Sequence, residues 1–282
     1  MGIRVLSLFD GMSCGQIALD RIGIEVDDYY ASEIDKYAMA VTKSNFPDTI
    51  HVGDITKLDH KDFTDIDLLF GGSPCQSFSN VGDGTGFDGK SGLFYDFVRL
   101  LKEVKPKYFL LENVRMKQEW EDVITKELGV KPIKINSKLV SAQNRPRLYW
   151  TNIPGVEQPD DKGIVIEDVI TPTFNGTHPG YLDKYFGSKQ KIDLVKKYDS
   201  KASCLTATMY KGQVSSFCKN DSNDTYRYSP EDCEILQTVP VGYTNAELNG
   251  KAISKTQRYR MLGNGWTVDV IAHIFENLKG LI

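Results

Sequence analysis

The first 115 residues alternate apolar, β-branched runs with helix-patterned segments, and this alternation constrains the fold most strongly. The strand-like runs are Ile3–Phe9, Asp28–Ser32, Ile50–Gly53, Asp67–Phe70 and Tyr108–Leu111. Apolar residues at helical spacing lie between them, over Gln16–Ile22, Asp35–Asn45 and Leu93–Val104. Strands alternating with helices of this length predict an α/β fold, in which βαβ units with right-handed crossovers build a parallel sheet.

Four acidic residues and one cysteine stand directly after these strands. They are Asp10, Glu33, Asp54, Cys75 and Glu112. In parallel sheets ligands bind beyond the carboxyl ends of the strands, where residues distant in sequence become neighbours. The sequence therefore predicts a functional site at this edge of the sheet.

The first strand-to-helix turn, Phe9 to Gly15, has the position of a nucleotide-binding loop but lacks the G-x-G-x-x-G pattern. Met12 and Ser13 stand where glycines would let the backbone approach a pyrophosphate. A ligand without phosphate, such as S-adenosylmethionine, suits the turn better. Glu33 could then hold the ribose hydroxyls and Asp54 the adenine amino group, although a turn of this kind also occurs without any nucleotide.

Cys75 and Glu112 are the candidate reactive groups. Cys75 follows Pro74 and leads into a glycine-rich stretch suited to a lid, whereas a lone cysteine after an apolar strand is also common in a core. A thiol nucleophile needs nearby cations, for which Arg145 and Arg147 are candidates or else plain surface charge. Glu112 ends an apolar strand, where burial would let it carry a proton, or where it would cap a helix or form a salt bridge.

The pattern changes along the chain and suggests three parts. Residues 1–150 form the predicted catalytic and cofactor-binding domain, 151–226 a small irregular lobe rich in Gly, Pro, Asn and Lys, and 227–282 a segment that returns to the first domain. Ser229 and Pro230 predict a helix start, as N-cap and first helical residue. The apolar spacing over Trp266–Leu281 predicts an amphipathic final helix.

Composition excludes several classes of protein. The net charge of −4 argues against a histone-like polyanion binder, and no apolar run approaches the ~20 residues of a membrane helix. Five cysteines without CxxC spacing and four histidines without ligand spacing make a structural zinc site improbable. With no secretory signal in the first residues, we expect a cytoplasmic protein that uses neither membrane nor metal.

Five ordered motifs resemble those of the DNA cytosine-5 methyltransferases. They are Phe9-Asp10-Gly11, Gly72-Ser73-Pro74-Cys75, Glu112-Asn113-Val114, Gln143-x-Arg145-x-Arg147 and Gly263-Asn264. The resemblance covers nearly the whole chain except the middle lobe. The segments around Phe9 and Asn264 are especially similar to the vertebrate de novo branch, whereas Pro74-Cys75-Gln76 is closer to bacterial and phage enzymes.

The resemblance implies a Rossmann-like methyltransferase sheet with a target-recognition lobe, and an enzyme that methylates C5 of a cytosine flipped out of double-stranded DNA. It implies Cys75 as the nucleophile that adds to C6, Glu112 at N3, and Arg147 and Arg145 near the cytosine O2. The methyl donor would be S-adenosylmethionine and its product S-adenosylhomocysteine; a restriction endonuclease is a candidate partner in the host. The implied cofactor contacts are Phe9, Asp10, Gly11, Met12, Cys14, Glu33, Ile34, Asp54, Ile55, Pro74, Leu93, Asn264, Gly265 and Trp266.

Two departures from the family pattern, and two alternatives, accompany this interpretation. Thr238 stands where the family has glycine in a Gln-Gly-Phe-Pro motif, and Gly265 replaces a small polar residue.

Methylation of cytosine in transfer RNA is the alternative function with the same chemistry. A catalytically silent DNA-binding homologue is the other, although such a chain has no reason to keep both Cys75 and Glu112. Lysines of the lobe, Lys184, Lys189, Lys191, Lys196 and Lys197, are candidate phosphate contacts.

Overall fold

A computed structural model describes residues 2–74, 90–172 and 193–282 of the chain. The chain divides into two units by its internal contacts. The first contains Met1–Ile135, Pro146–Gln158 and Ile271–Ile282, and the second contains Asn136–Arg145 and Pro159–Val270. The predicted division at residues 150 and 226 concerns functional parts and stays a prediction.

The first unit is built on a seven-stranded sheet with the strand order β3-β2-β1-β4-β5-β7-β6. The strands are β1 Ile3–Leu8, β2 Val26–Ser32, β3 Ile50–His51, β4 Leu68–Gly72, β5 Tyr108–Val114, β6 Ile133–Asn136, whose last residue begins the second unit, and β7 Pro146–Thr151. The helices are α1 Cys14–Ile22, α2 Lys36–Asn45, α3 Phe94–Val104 and α4 Gln118–Leu128. The α/β class and the alternating elements of the first half are thus confirmed.

The five strands predicted in the first half pair in parallel, as expected, but the sheet also contains an antiparallel strand, β7. The pairs β1–β2, β1–β4, β2–β3 and β4–β5 are parallel, but β7 runs antiparallel to β5. Residues 137–145 connect β6 to β7, and this connection is shorter than the dozen or more residues that a crossover between parallel strands requires. Strand β7 therefore does not enter the sheet through a βαβ unit, and mixed sheets of this kind are common.

One apolar cluster holds the sheet of the first unit to α3. The cluster includes Leu6, Leu69 and Leu111 from the strands together with Phe94 and Phe97 from α3, all of them fully buried. Burial of each such side chain contributes about 1.5–3 kcal/mol, which fixes the strands in their order. The predicted apolar face of this helix is confirmed.

The second unit carries shorter elements, and three short strands lie in or at the end of the lobe predicted to be irregular. Its three-stranded sheet has the order β10-β9-β8 and its hairpin joins β11 to β12. The strands are β8 Lys196–Lys197, β9 Phe217–Lys219, β10 Thr225–Arg227, β11 Glu247–Leu248 and β12 Lys251–Ala252; the helices are α5 Ile166–Val169, α6 Pro230–Leu236 and α7 Lys255–Asn264. Helix α6 begins as predicted, since Ser229 Oγ accepts from the Asp232 amide and forms a capping box.

The final helix is shorter than predicted from Trp266–Leu281. Helix α8 spans Val268–Phe275 and continues as a 3₁₀ turn over Glu276–Leu278. Its amino end is fixed by Thr238, whose Oγ1 accepts from the Asp269 amide at 2.8 Å. Thr238 has a left-handed φ of 53°, which is strained for a β-branched residue. The hydroxyl cap therefore offsets the strain that the family's glycine avoids at this position.

Across the described ranges, no helix is both long enough and apolar enough to cross a membrane.

Candidate active site

The turn after β1 has an unusual backbone. Phe9, Gly11 and Ser13 all have left-handed φ angles, of 57°, 60° and 58°. The Asp10 amide donates to the Ser32 carbonyl at 3.0 Å, which joins this turn to the end of β2. Alternating left-handed residues bend the chain sharply between the strand and α1, and Gly11 adopts this conformation without strain.

The carboxylate of Asp10 stabilises this turn through three hydrogen bonds from hydroxyl groups. It accepts from Ser7 Oγ at 2.6 Å, from Tyr29 Oη at 2.7 Å and from Ser13 Oγ. Burial raises the pKa of Asp10 to about 6, although the three hydroxyl groups oppose the increase. All three bonds are made with residues of the chain itself, so the side chain of Asp10 has a structural role in the turn.

Glu33 joins the turns that follow β1 and β2. Its Oε2 accepts from the Gly11 amide at 2.8 Å, and its Oε1 accepts from the amides of Ile34 and Asp35, both at 2.7 Å. A carboxylate oxygen has about two lone-pair sites, so Oε2 keeps capacity for a further donor. Glu33 is half-buried, and this placement agrees with the predicted role at a ribose.

Asp54 lies at the third strand end. It caps a 3₁₀ turn over Ile55–Lys57, and its Oδ1 accepts from the Thr56 amide at 3.0 Å and hydroxyl at 2.9 Å. These bonds lower the pKa of Asp54, so it is ionised at neutral pH. Ser32 Oγ donates to the Gly53 carbonyl at 2.7 Å, which ties the second strand end to the third. The structure thus brings together the turns that carry Asp10, Glu33 and Asp54.

Sequence reasoning overlooked Arg99 of α3. Its guanidinium donates to the carbonyls of Ile55 and Leu58, both at 3.1 Å, and so supports the turn behind Asp54. The available signal was an arginine among the apolar residues of α3, but its partners became evident only in the fold.

Other predicted cofactor residues of the first unit are placed as follows. The side chains of Met12 and Cys14 are buried, at 1% and 4% exposure, so a contact from either with a ligand would come from its backbone. Phe9 and Leu93 are partly buried against the apolar cluster that holds the sheet to α3. Pro74 is half-buried and is the last residue described before residue 90.

Glu112 forms a buried ion pair at the end of β5. Its Oε1 lies 2.9 Å from Nε of Arg147 on β7, and the two side chains are 11% and 13% exposed. Across the sheet, Glu112 is opposite Tyr149 on one side and Gly72 on the other. The carboxylate therefore stands beside the end of β4, the strand that leads to Cys75.

The segment before Cys75 is anchored to β5. Asn113 is buried, and its Nδ2 donates to Ser73 Oγ at 3.1 Å. Cys75 itself and the glycines of the predicted lid up to Gly89 lie outside the described residues. The Gly72-Ser73-Pro74-Cys75 motif and the Glu112-Asn113-Val114 motif are thus joined by the hydrogen bond between Ser73 and Asn113.

The family model for C-5 cytosine-specific DNA methylases matches residues 3–153, more than half of the 282 residues. The chain belongs to this family. The type II methyltransferase M1.ScrFI of Lactococcus lactis subsp. cremoris is 28% identical over 98% of this chain and 77% of its own length. The type II methyltransferase M.HhaI of Haemophilus parahaemolyticus is 25% identical over 98% and 94%.

A solved structure confirms the fold of this C-5 cytosine methyltransferase family member. The Entamoeba histolytica methyltransferase EhMeth has a TM-score of 0.77 at 17% identity, over 100% of this chain and 99% of that one. The Rossmann-like methyltransferase sheet expected from the sequence is therefore shown.

Members of this family use S-adenosylmethionine, and the three turns fit that molecule. A Cβ placed on Gly11 meets no atom within 4 Å, so there is open space above the first turn. Glu33 and Asp54 offer carboxylate acceptors, and the 75% exposed side chain of Ile34 offers an apolar surface beside them. Acceptors for hydroxyl and amino groups next to an apolar surface suit a nucleoside.

The two arginines of the Gln143-x-Arg145-x-Arg147 motif belong to different units. Arg145 precedes β7 and belongs to the second unit, where its guanidinium is buried. It donates to the carbonyls of Leu205 at 2.9 Å, Gly265 at 2.8 Å and Gly263 at 3.1 Å. These bonds stabilise the second unit.

The remaining predicted cofactor residues, Asn264, Gly265 and Trp266, also lie in the second unit. Asn264 is exposed at the end of α7, Trp266 is half-buried, and the Gly265 carbonyl accepts from Arg145 and from Gln237 Nε2 at 3.0 Å. Their cofactor contacts stay a prediction.

Within residues 2–74, 90–172 and 193–282, His, Cys, Asp and Glu side chains form no group of three or more that could hold a metal ion.

Proposed function

We propose that this family member is a DNA cytosine-5 methyltransferase that methylates C5 of a flipped cytosine through a covalent bond between Cys75 and C6. The ion pair of Glu112 and Arg147 beside the end of β4 is the observation that carries the proposal. It provides a fixed carboxyl group next to the strand that leads to the candidate thiolate. The relatives M1.ScrFI and M.HhaI, both type II methyltransferases, support the assignment.

The chemistry follows from the two groups. The Cys75 thiolate adds its electron pair to C6, and the ring electrons move toward N3, where a proton from Glu112 offsets the developing charge. C5 thereby becomes nucleophilic. S-adenosylmethionine supplies an electrophilic methyl group when bound. Loss of the C5 proton to solvent and expulsion of the Cys75 thiolate then restore the aromatic ring, and the proton on N3 returns to Glu112.

Arg147 positions the carboxyl group of Glu112 and presents a cation near the cytosine O2 in our proposal; we propose the same site for Arg145. The cofactor is held by Glu33 at the ribose, Asp54 and Ile55 at the adenine, and Gly11 at the amino acid end. The further proposed contacts are Phe9, Asp10, Met12, Cys14, Ile34, Pro74, Leu93, Asn264, Gly265 and Trp266.

The substrate in this proposal is duplex DNA, in the cytoplasm of a bacterial or phage-infected cell. The proposed protein partner is a restriction endonuclease with the same target sequence.

Trapping on a modified substrate tests the covalent step. Fluorine cannot leave C5 as a proton does, so duplex DNA with 5-fluorocytosine at the target should yield a denaturation-resistant adduct on a gel. Cys75→Ser should form no adduct and lose methyl transfer, while it retains S-adenosylmethionine binding. An adduct-free wild type that methylates the normal duplex would refute the covalent mechanism.

The same assay separates the alternatives. Duplex DNA, the RNA of the same sequence and transfer RNA are offered to the wild type in parallel. Transfer only to RNA would replace the DNA proposal with RNA methylation. No transfer to any of them would identify a silent homologue.

A further inference from the structure

The edge of the seven-stranded sheet at which the parallel strands end is divided by charge. The first charged residue after β2 is Glu33, and the first after β3 is Asp54. The first two charged residues after β5 are Arg115 and Lys117. Strands β1 and β4 lie between β2 and β5 in the sheet. This edge therefore has carboxylates on the side of β2 and β3 and cations on the side of β5.

Arg115 directly follows the last residue of β5 and lies three residues beyond Glu112. Three residues of extended chain span about 10 Å, so Arg115 is close to the proposed catalytic carboxyl group. The charge of that carboxylate is already balanced by Arg147, whose Nε lies 2.9 Å from Glu112 Oε1. Arg115 itself is exposed and, among the described residues, forms no hydrogen bond or ion pair. Its guanidinium is therefore an additional positive charge beside the end of β5.

Lys117 is the N-cap residue of α4, two residues further along the chain. Its Nζ lies 4.9 Å from the ring centre of Trp120, and attraction to the face of the ring limits the positions of the ammonium group. An ion pair joins Lys117 to Glu119 at 3.8 Å, with side chains that are 63% and 67% exposed. Water screens such an exposed pair, so it contributes little and leaves Lys117 able to bind another anion.

The position of these two cations fits the backbone of the proposed substrate. A cytosine that is flipped from the duplex stays joined to the phosphates on either side of it, so these phosphates approach the end of β5 together with the base. Residues 113–118 contain no acidic side chain that would repel them. A guanidinium can bind two phosphate oxygens at once, and an ammonium binds as a point charge.

We propose that Arg115 and Lys117 bind the phosphates that flank the flipped cytosine. This inference rests on the proposed function, because it takes Glu112 to be the group that meets N3 of the base. Contacts with phosphates hold the strand that carries the target but do not read its sequence. The two residues are therefore expected to contribute equally to methylation of every target sequence.

Substitutions that remove one charge each test the assignment. Arg115→Gln and Lys117→Gln should each lower kcat/KM on duplex DNA by about three- to tenfold and reduce the salt dependence by about one ion. The affinity for S-adenosylmethionine and the set of sequences methylated in a random duplex library should not change. The matched control is Lys105→Gln, because Lys105 is exposed and precedes β5, at the opposite edge of the sheet. This control should behave as the wild type does.

A substrate with one uncharged phosphate distinguishes a direct contact from a general effect of charge. A methylphosphonate replaces in turn each phosphate on the 5′ and 3′ sides of the target cytosine. At a contacted position it should slow the wild type about as much as the substitution does, and it should have no further effect on the variant that lacks the contacting cation. Thermal melting verifies that the variants are folded.

Three results would refute the inference alone. They are an unchanged kcat/KM in both variants, an equal loss in Lys105→Gln, and effects of substitution and methylphosphonate that multiply at every position. No DNA methylation by the wild type would refute the proposed function and the inference with it.

Discussion

Among the described residues, each unit contains a buried glutamate paired with an arginine, and the two pairs differ in their surroundings. Glu112 lies 2.9 Å from Arg147 at the end of a strand, with both side chains slightly exposed. Glu234 lies 3.1 Å from Arg258 and is fully buried. Glu234 also accepts from the Gly242 amide at 2.6 Å and from the Thr244 amide and hydroxyl at 2.8 and 2.5 Å.

The difference shows that a buried carboxylate is not by itself a sign of catalysis. Glu234 binds the loop at Gly242 and Thr244 and the guanidinium of Arg258, so both of its carboxylate oxygens are bonded within the second unit. Glu112 stands where a strand ends at the edge of the sheet, the place at which ligands bind in such folds. Placement in the fold, rather than burial, separates the catalytic candidate from the structural residue.

Glu112→Gln should produce the largest effect and is the direct test of this contrast. The amide can still accept from Arg147, but it cannot deliver a proton to N3. We expect kcat to fall about 10²–10⁴-fold with little change in stability. Methyl transfer to duplex DNA and urea unfolding measure the two quantities. A variant that keeps near-normal turnover would remove Glu112 from the chemistry.

Glu234→Gln should show the opposite behaviour. Its new NH₂ group would face donors that now meet a carboxylate oxygen, so we expect a loss of about 3–5 kcal/mol in unfolding free energy. Turnover per folded molecule should remain close to that of the wild type. Urea unfolding followed by activity titration at low temperature distinguishes these results. Unchanged stability would contradict the structural role.

Asp10 extends the comparison to a buried carboxyl group held by hydroxyls rather than by a cation. Its folded pKa is about 6, against 3.8 for the ordinary group, so the folded state keeps a proton that the unfolded state releases. Stability from this group is therefore full below pH 4 and falls as the pH rises to 6, by up to about 3 kcal/mol. Asp10→Asn should lack this decrease in unfolding free energy when unfolding is measured between pH 4 and 7. The same pH dependence in the wild type and the variant would contradict this prediction.

Glu33→Ala should have the smallest effect. Loss of one acceptor at the cofactor should weaken S-adenosylmethionine binding by about 1–3 kcal/mol in a calorimetric titration. Asp59→Ala is the matched control, because Asp59 caps a nearby 3₁₀ turn and is not among the predicted site residues. Equal affinities in the two variants would remove Glu33 from the site.

Much of the first unit could be predicted because local pattern and topology agree there. The apolar runs before Asp10, Glu33 and Asp54 end at one edge of the sheet, and the parallel arrangement alone brings these residues together. The bonds of Glu33 to both neighbouring turns follow from that arrangement. The alternation of strands and helices in the sequence was therefore sufficient to predict most of this part of the site.

The second unit was less predictable because its contacts join segments that are distant in sequence. Arg145 bonds to residues about 60 and 120 positions away. No periodic pattern encodes such a contact, and a paired-arginine motif suggested a different one. Helix α4 was not predicted, since only two of its residues, Ile124 and Leu128, are buried, so its apolar spacing is weak.

The cap that Thr238 provides has a consequence for how chains of this kind are recognised. A pattern search that requires glycine before the final helix would reject this sequence, although its backbone bends as glycine would allow. The threonine is tolerated because α8, the final helix, begins within reach of its hydroxyl. The partner, about thirty positions downstream, is a main-chain amide that any residue except proline supplies, so tolerance of threonine depends on where that helix begins and not on one particular side chain.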